Sequence, residues 1–177
     1  MRAFHRYGLA GTTYDVLEQS TGLRRQSLVY AFGDKRALFD AALRRYADRR
    51  VEDIVICLTT STSPAAGIRA AFGLWLNDAR DGEHRGCLLV NTAGEVGPHD
   101  EAVATIVEAA TARLIAAFET AFARARHAGE LRTDADIAEL SRCAVALGDG
   151  ALLHAHNAGS AELAEASLRG FLTIVLD

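Results

Sequence analysis

The sequence predicts an all-α protein, with a compact N-terminal group of short helices followed by a bundle of longer ones. Three observations lead there. Strand signals are nearly absent: there are no alternating apolar runs, so neither Asp81-Gly82 nor Asp149-Gly150 joins two of them as a hairpin turn. Apolar residues recur at three- and four-residue spacing along most of the chain. Gly8, Gly22 and Gly33 punctuate the first fifty residues into short segments, whereas prolines occur only at 64 and 98. The length of 177 residues and a hydrophobic fraction of 50% are ordinary for a globular chain with one substantial core.

The first helix carries Phe4 and stops near Gly8, and the second starts at Thr12-Thr13 and ends at Gly22. Thr12 is the expected N-cap of the second helix, with Asp15 three residues on reaching back toward it. A third helix runs from Arg24 to Phe32 and ends at Gly33. Asp34 then caps a long helix over 35–59 that carries Phe39, Leu43, Tyr46 and Ile54. The polar stretch Thr59 to Ser63, closed by Pro64, is the clearest linker. Beyond it, Ile68, Phe72, Trp75, Leu76 and Ala79 define a helix over 65–80, broken by Asp81-Gly82-Glu83. A shorter segment from His84 to Glu95 ends at Gly97-Pro98, where proline opens the next helix. That helix bears the longest stripe, from Val103 through Phe118 and Phe122 to Ala125, and Gly129 stops it. Thr133 to Asp136 starts a helix over 134–157, and Ser160 caps a last one over 161–176.

Charge divides the chain unevenly. Residues 1–50 hold ten Lys and Arg against five Asp and Glu, a balance of +5, while residues 51–177 hold nine against eighteen, a balance of −9. A basic head on an acidic body is the distribution of a nucleic-acid-binding unit joined to a non-binding one. The head also has the layout of a helix-turn-helix, in which a glycine turn presents a second helix to the major groove. Leu17, Leu23, Leu28 and Phe32 are spaced to bury against Phe4, Leu38 and Phe39. That leaves Arg24, Arg25, Gln26, Ser27 and Tyr30 facing outward. Arg suits guanine, Gln suits adenine, and Ser or Tyr suits phosphate. Thr12 and Thr13, at a helix start, add hydroxyl and backbone N–H groups for a phosphate.

The pattern Phe4…Gly8…Thr12-Thr13…Leu17…Gly22-Leu23…Ser27-Leu28…Phe32-Gly33-Asp34-Lys35…Ala37-Leu38-Phe39 resembles the TetR family of bacterial transcriptional regulators over residues 4–46. The resemblance implies a DNA-binding domain over 1–46 and a ligand-binding, dimerising domain over 47–177. It also places Lys35, the only lysine in the chain, against a DNA phosphate. This chain departs from the family at three points. Arg24 replaces the usual Ser or Thr cap, Val29 stands where tyrosine is usual with Tyr30 one place later, and Met1 lies only seven residues before Gly8. The family's first helix begins further upstream. The expectation is therefore a start preceding Met1 or a shortened head, and the rival function is a small-molecule-binding helical dimer unable to read DNA.

For the body, the resemblance implies a small effector and a homodimer made by the last two long helices, whose Gly148, Gly150 and Gly170 allow close approach. Two heads about 34–36 Å apart would read a palindromic double-stranded DNA operator. The segment Arg85 to Glu95 resembles a Gly-Cys-Leu…Asn…Glu signature of one subgroup. Cys87, Asn91 and Glu95 are four apart and share a helix face. They are the expected polar lining of an effector pocket walled by Phe72, Trp75, Phe118 and Phe122. The alternatives are core packing for the aromatics and, for Asn91 and Glu95, satisfying backbone groups between head and body.

Catalytic, cofactor and metal roles are not expected. The three cysteines are scattered, and no Cys-x-x-Cys, His-x-x-x-His or Glu-x-x-His spacing occurs. A thiol or metal sensor using Cys87, with His84 and Glu83 beside it, is the remaining alternative. Met1 to Arg6 carry charge without the apolar stretch of a signal peptide, and no apolar run is long enough to span a bilayer, so a cytoplasmic location is expected. The reading is a ligand-responsive, homodimeric transcriptional regulator, a repressor released from its operator by an effector.

Overall fold

The computed structural model describes residues 1–82 and 86–177, and the described residues are helical almost throughout. The helices are α1 (Arg2–Gly11), α2 (Tyr14–Thr21), α3 (Arg25–Phe32), α4 (Lys35–Thr60), α5 (Pro64–Arg80), α6 (Leu88–Glu95), α7 (Glu101–His127), α8 (Ile137–Ala158) and α9 (Glu162–Val175). The starts follow the capping chemistry. Asp34, Ser63, Asp100 and Asp136 each accept a hydrogen bond from the amide three residues on, at 2.7, 3.2, 3.2 and 3.0 Å. Three expected starts in the body shift. The last helix has Ala161, not Ser160, as its N-cap, with no side-chain cap hydrogen bond. The eighth helix begins at Asp136, not in the Thr133-Asp134 pair. Pro98 lies in a 3₁₀ turn over Gly97–His99, so Asp100, not the proline, opens α7.

Helices α1 to α3 form the head, and α4 runs unbroken from the head into the bundle. Phe4 and Phe39 meet edge to face at 5.1 Å, and Leu17 and Leu28 close the head core around them. Leu23 and Phe32 do not join it, being 51% and 41% exposed. Both flank the turns that bound α3, where the backbone swings the side chain off the buried stripe.

In the bundle, α4 packs on α5 and α7, and α8 packs on α7 and α9. The centre is aromatic. Phe72 meets Trp75 edge to face at 5.0 Å and stacks on Phe171 at 5.4 Å. Trp75 stacks on Phe118 at 5.5 Å, and Phe118 continues to Phe122 at 5.9 Å. Side chains of this size contribute about 1.5–3 kcal/mol each on full burial. Gly148 of α8 lies flat against the Trp75 ring, where a Cβ would come within 2.7 Å. The small residue is what lets α5 and α8 approach. Gly150 and Gly170 face open space instead. An antiparallel bridge from Leu131 to Leu176 ties the end of the chain to the α7–α8 connection. Among the described residues, no helix is long and apolar enough to cross a membrane.

Candidate DNA interface and effector cleft

The five residues expected to face DNA from the third helix lie on the surface of the head. Arg24, Arg25, Gln26, Ser27 and Tyr30 are all exposed, and Tyr30 is 95% so. Gly22 takes the left-handed conformation (φ 71°) that the turn between α2 and α3 requires. Thr13, not Thr12, caps α2, its hydroxyl accepting from the Val16 amide at 3.3 Å. Thr12 is fully buried and donates its hydroxyl to the Gly8 carbonyl at 2.6 Å and to the Ala3 carbonyl at 3.3 Å. It therefore braces the end of α1 and offers no surface to a phosphate. Lys35 is half-buried, and its ammonium donates to the Leu9 carbonyl at 2.9 Å. Its charge stabilises the carbonyl end of α1.

Two head residues escaped sequence reasoning. Arg24 gives α3 no side-chain cap. Glu18 of α2 supplies one, its Oε1 accepting from the Arg25 amide at 2.5 Å. The Arg25 guanidinium in turn lies 4.3 Å from the centroid of the Tyr14 ring. Tyr14 and Glu18 are four apart on α2, which was the available signal, but the target seven residues beyond Glu18 becomes visible only once the turn is built.

The body differs from its expected pocket. Phe72, Trp75, Phe118 and Phe122 are sealed against one another and border none of the principal cavities. They pack as core because each ring already meets another ring. Cys87 is buried too, with the Tyr46 hydroxyl donating to its Sγ at 3.5 Å. Burial pushes the Cys87 thiol up, outweighing that hydrogen bond, so the residue stays a protonated, shielded thiol. His84 and Glu83, its suggested metal partners, lie outside the described residues, and no metal-binding group of three or more ligands occurs among those described.

Asn91 and Glu95 do reach a cavity. A cleft of about 480 Å³ opens where the head meets the body, bordered by α1, α6 and the end of α8. Gly8, Asn91, Glu95, Leu153 and Asn157 line it. Both amide atoms of Asn91 are buried with no hydrogen-bond partner among the described residues. An orphaned amide of this kind calls for a further polar group. A second cavity of about 640 Å³ adjoins Tyr46, Asp78 and Gly86. Behind it, Arg50 of α4 lies 2.6 Å from Asp78 of α5. Burial raises the Asp78 carboxyl and pushes Asp149 of α8 up to about 6, against the attraction of the same Arg50.

A helix-turn-helix head with an exposed polar second helix, carried by a long shared helix on an all-α bundle, is the architecture of a DNA-binding transcriptional regulator. The comparisons give the family. Residues 64–171 match the tetracyclin repressor-like, C-terminal domain. The uncharacterized HTH-type transcriptional regulator YezE of Bacillus subtilis (strain 168) is 34% identical over 144 residues, 80% of this chain and 74% of that protein. A TetR-family regulator from Agrobacterium tumefaciens superposes with a TM-score of 0.88 at 23% identity, covering 99% of this chain and 93% of its own. A cysteine-substituted form of the TetR-family regulator CifR, solved with 26-base-pair double-strand operator DNA, superposes with a TM-score of 0.81 at 25% identity. That likeness covers 98% of this chain and 91% of CifR. The chain belongs to the TetR family of transcriptional regulators.

Proposed function

We propose that this protein is a ligand-responsive homodimeric repressor whose DNA-binding domain spans 1–46 and whose effector and dimer domain spans 47–177. The observation that carries it is the run of exposed residues from Arg24 to Ser27, with Tyr30, on a helix held to the body through α4. The operator selects one spacing of the two heads, and an effector selects another, so each weakens the binding of the other. The effector site we propose is the head–body cleft at Asn91 and Glu95, because an occupant there touches α1 and α6 together. The shielded Cys87 thiol gives no support to a sensor that acts through that residue.

Fluorescence anisotropy on DNA from beside the protein's own gene, with scrambled duplex as control, tests the DNA reading. Selective binding with a salt slope of about −0.9 per neutralised phosphate supports it. Weak binding that is equal on both duplexes refutes it and favours the helical dimer that does not read DNA. A small-molecule panel then tests the effector reading, scored by release of the operator complex. Release of wild type but not of Asn91→Leu supports the cleft. Release of both alike moves the site elsewhere.

A further inference from the structure

The recognition helix begins with three candidate base readers in a row, yet α2 treats one of them differently. Arg25 is held at both ends. Its backbone amide donates to Glu18 Oε1 at 2.5 Å, and its guanidinium is laid 4.3 Å from the Tyr14 ring centroid. Both holding groups belong to α2. The side chain is thereby folded back over the helix that precedes the turn, away from the outer face of α3. In a helix-turn-helix, the second helix enters the major groove while the first crosses the sugar–phosphate backbone.

We infer that Arg25 is a backbone-phosphate contact and that Tyr14 and Glu18 are its positioning residues, leaving base reading to Arg24 and Gln26. The inference rests on the operator-binding reading above. Stacking on Tyr14 leaves the guanidinium edge free to donate two parallel hydrogen bonds to one phosphate. It also limits the rotamers open to a long flexible side chain, so less freedom is lost on docking. Glu18 fixes the first turn of α3, doing the work of the Ser or Thr cap that Arg24 displaces.

The experiment is anisotropy of wild type, Arg25→Ala, Tyr14→Ala, Tyr14→Phe and Gln26→Ala on operator and scrambled duplexes across a salt series. Arg25→Ala is expected to weaken both duplexes by a common factor, about tenfold or more, and to flatten the salt slope by about 0.9 for each head bound. Tyr14→Ala is expected to reproduce most of the loss in affinity. Tyr14→Phe, which keeps the ring, is expected to bind as wild type does. Gln26→Ala should instead erode the preference for operator over scrambled DNA. If Arg25→Ala erodes that preference and leaves the salt slope alone, Arg25 is a base reader and the inference fails. If Tyr14→Ala binds as wild type does, the positioning role fails. A wild-type chain that binds neither duplex overturns the operator-binding reading itself, an outcome distinct from both. Arg25 is exposed, so its truncation leaves the head core intact.

Discussion

Asp149 shows how a single buried carboxyl leaves a signature in the stability of the whole chain. Its folded-state value of about 6 stands above that of an unfolded aspartate, because burial disfavours the charged form more than Arg50 favours it. Between those two values the folded state binds the proton more tightly than the unfolded state does. Stability attributable to Asp149 is therefore present at low pH and is lost as pH rises from about 4 to about 6. Asp149→Asn should be more resistant to urea than wild type at pH 7, with the gap closing toward pH 4.5. A gap independent of pH would contradict this. Residues of this kind were the least legible from sequence. Two adjacent threonines look interchangeable as caps, and only the path of the chain out of α1 buries Thr12 and leaves Thr13 at the helix start. The aromatic stripe was legible as a face. Whether that face lined a void depended on Gly148 and Phe171, contributed by helices far away in sequence.

Elements were legible wherever local chemistry decides them. Asp34, Gly22 and Gly33 mark the head, and the stripe from Val103 to Ala125 marks α7, because caps and periodicity act within a few residues. The conformation of α1 was not legible. Its two helical stretches meet at Gly8, with φ 64° and ψ −174°, a conformation all but reserved for glycine. A Cβ there would come within 2.6 Å of the Glu95 carboxylate of α6. Gly8 is thus a point of close approach between α1 of the head and α6 of the body. Gly8→Ala should cost about 1–3 kcal/mol in chemical denaturation through backbone strain alone. It should also raise hydrogen exchange across both α1 and α6, whereas a purely local effect would spare α6. Across the same junction, Asp100 caps α7 and also pairs with Arg36 at the head end of α4. That pairing holds the Asp100 carboxyl below the usual carboxylate range.

At the scale of the molecule, α8 and α9 pack side by side and leave Leu153, Leu163 and Ile174 exposed, with Ile174 at 72%. Gly150 and Gly170 lie on the same pair of helices with open space before them. If the proposed dimer forms through these two helices, Ile174→Glu should shift it to monomer in sedimentation equilibrium and abolish operator binding, while the far-ultraviolet circular dichroism stays helical. A variant that remains dimeric would place the interface elsewhere. The continuity of α4 has a further consequence. Its 26 residues make a rod about 39 Å long. A tilt of only about 5° at the end in the body would carry the other end some 3 Å, close to the roughly 3.4 Å of helix axis taken up by each phosphate of one strand. Under the proposed ligand response, α4 would act as a lever arm, turning a slight rotation in the body into a shift of about one step of the DNA ladder at the head.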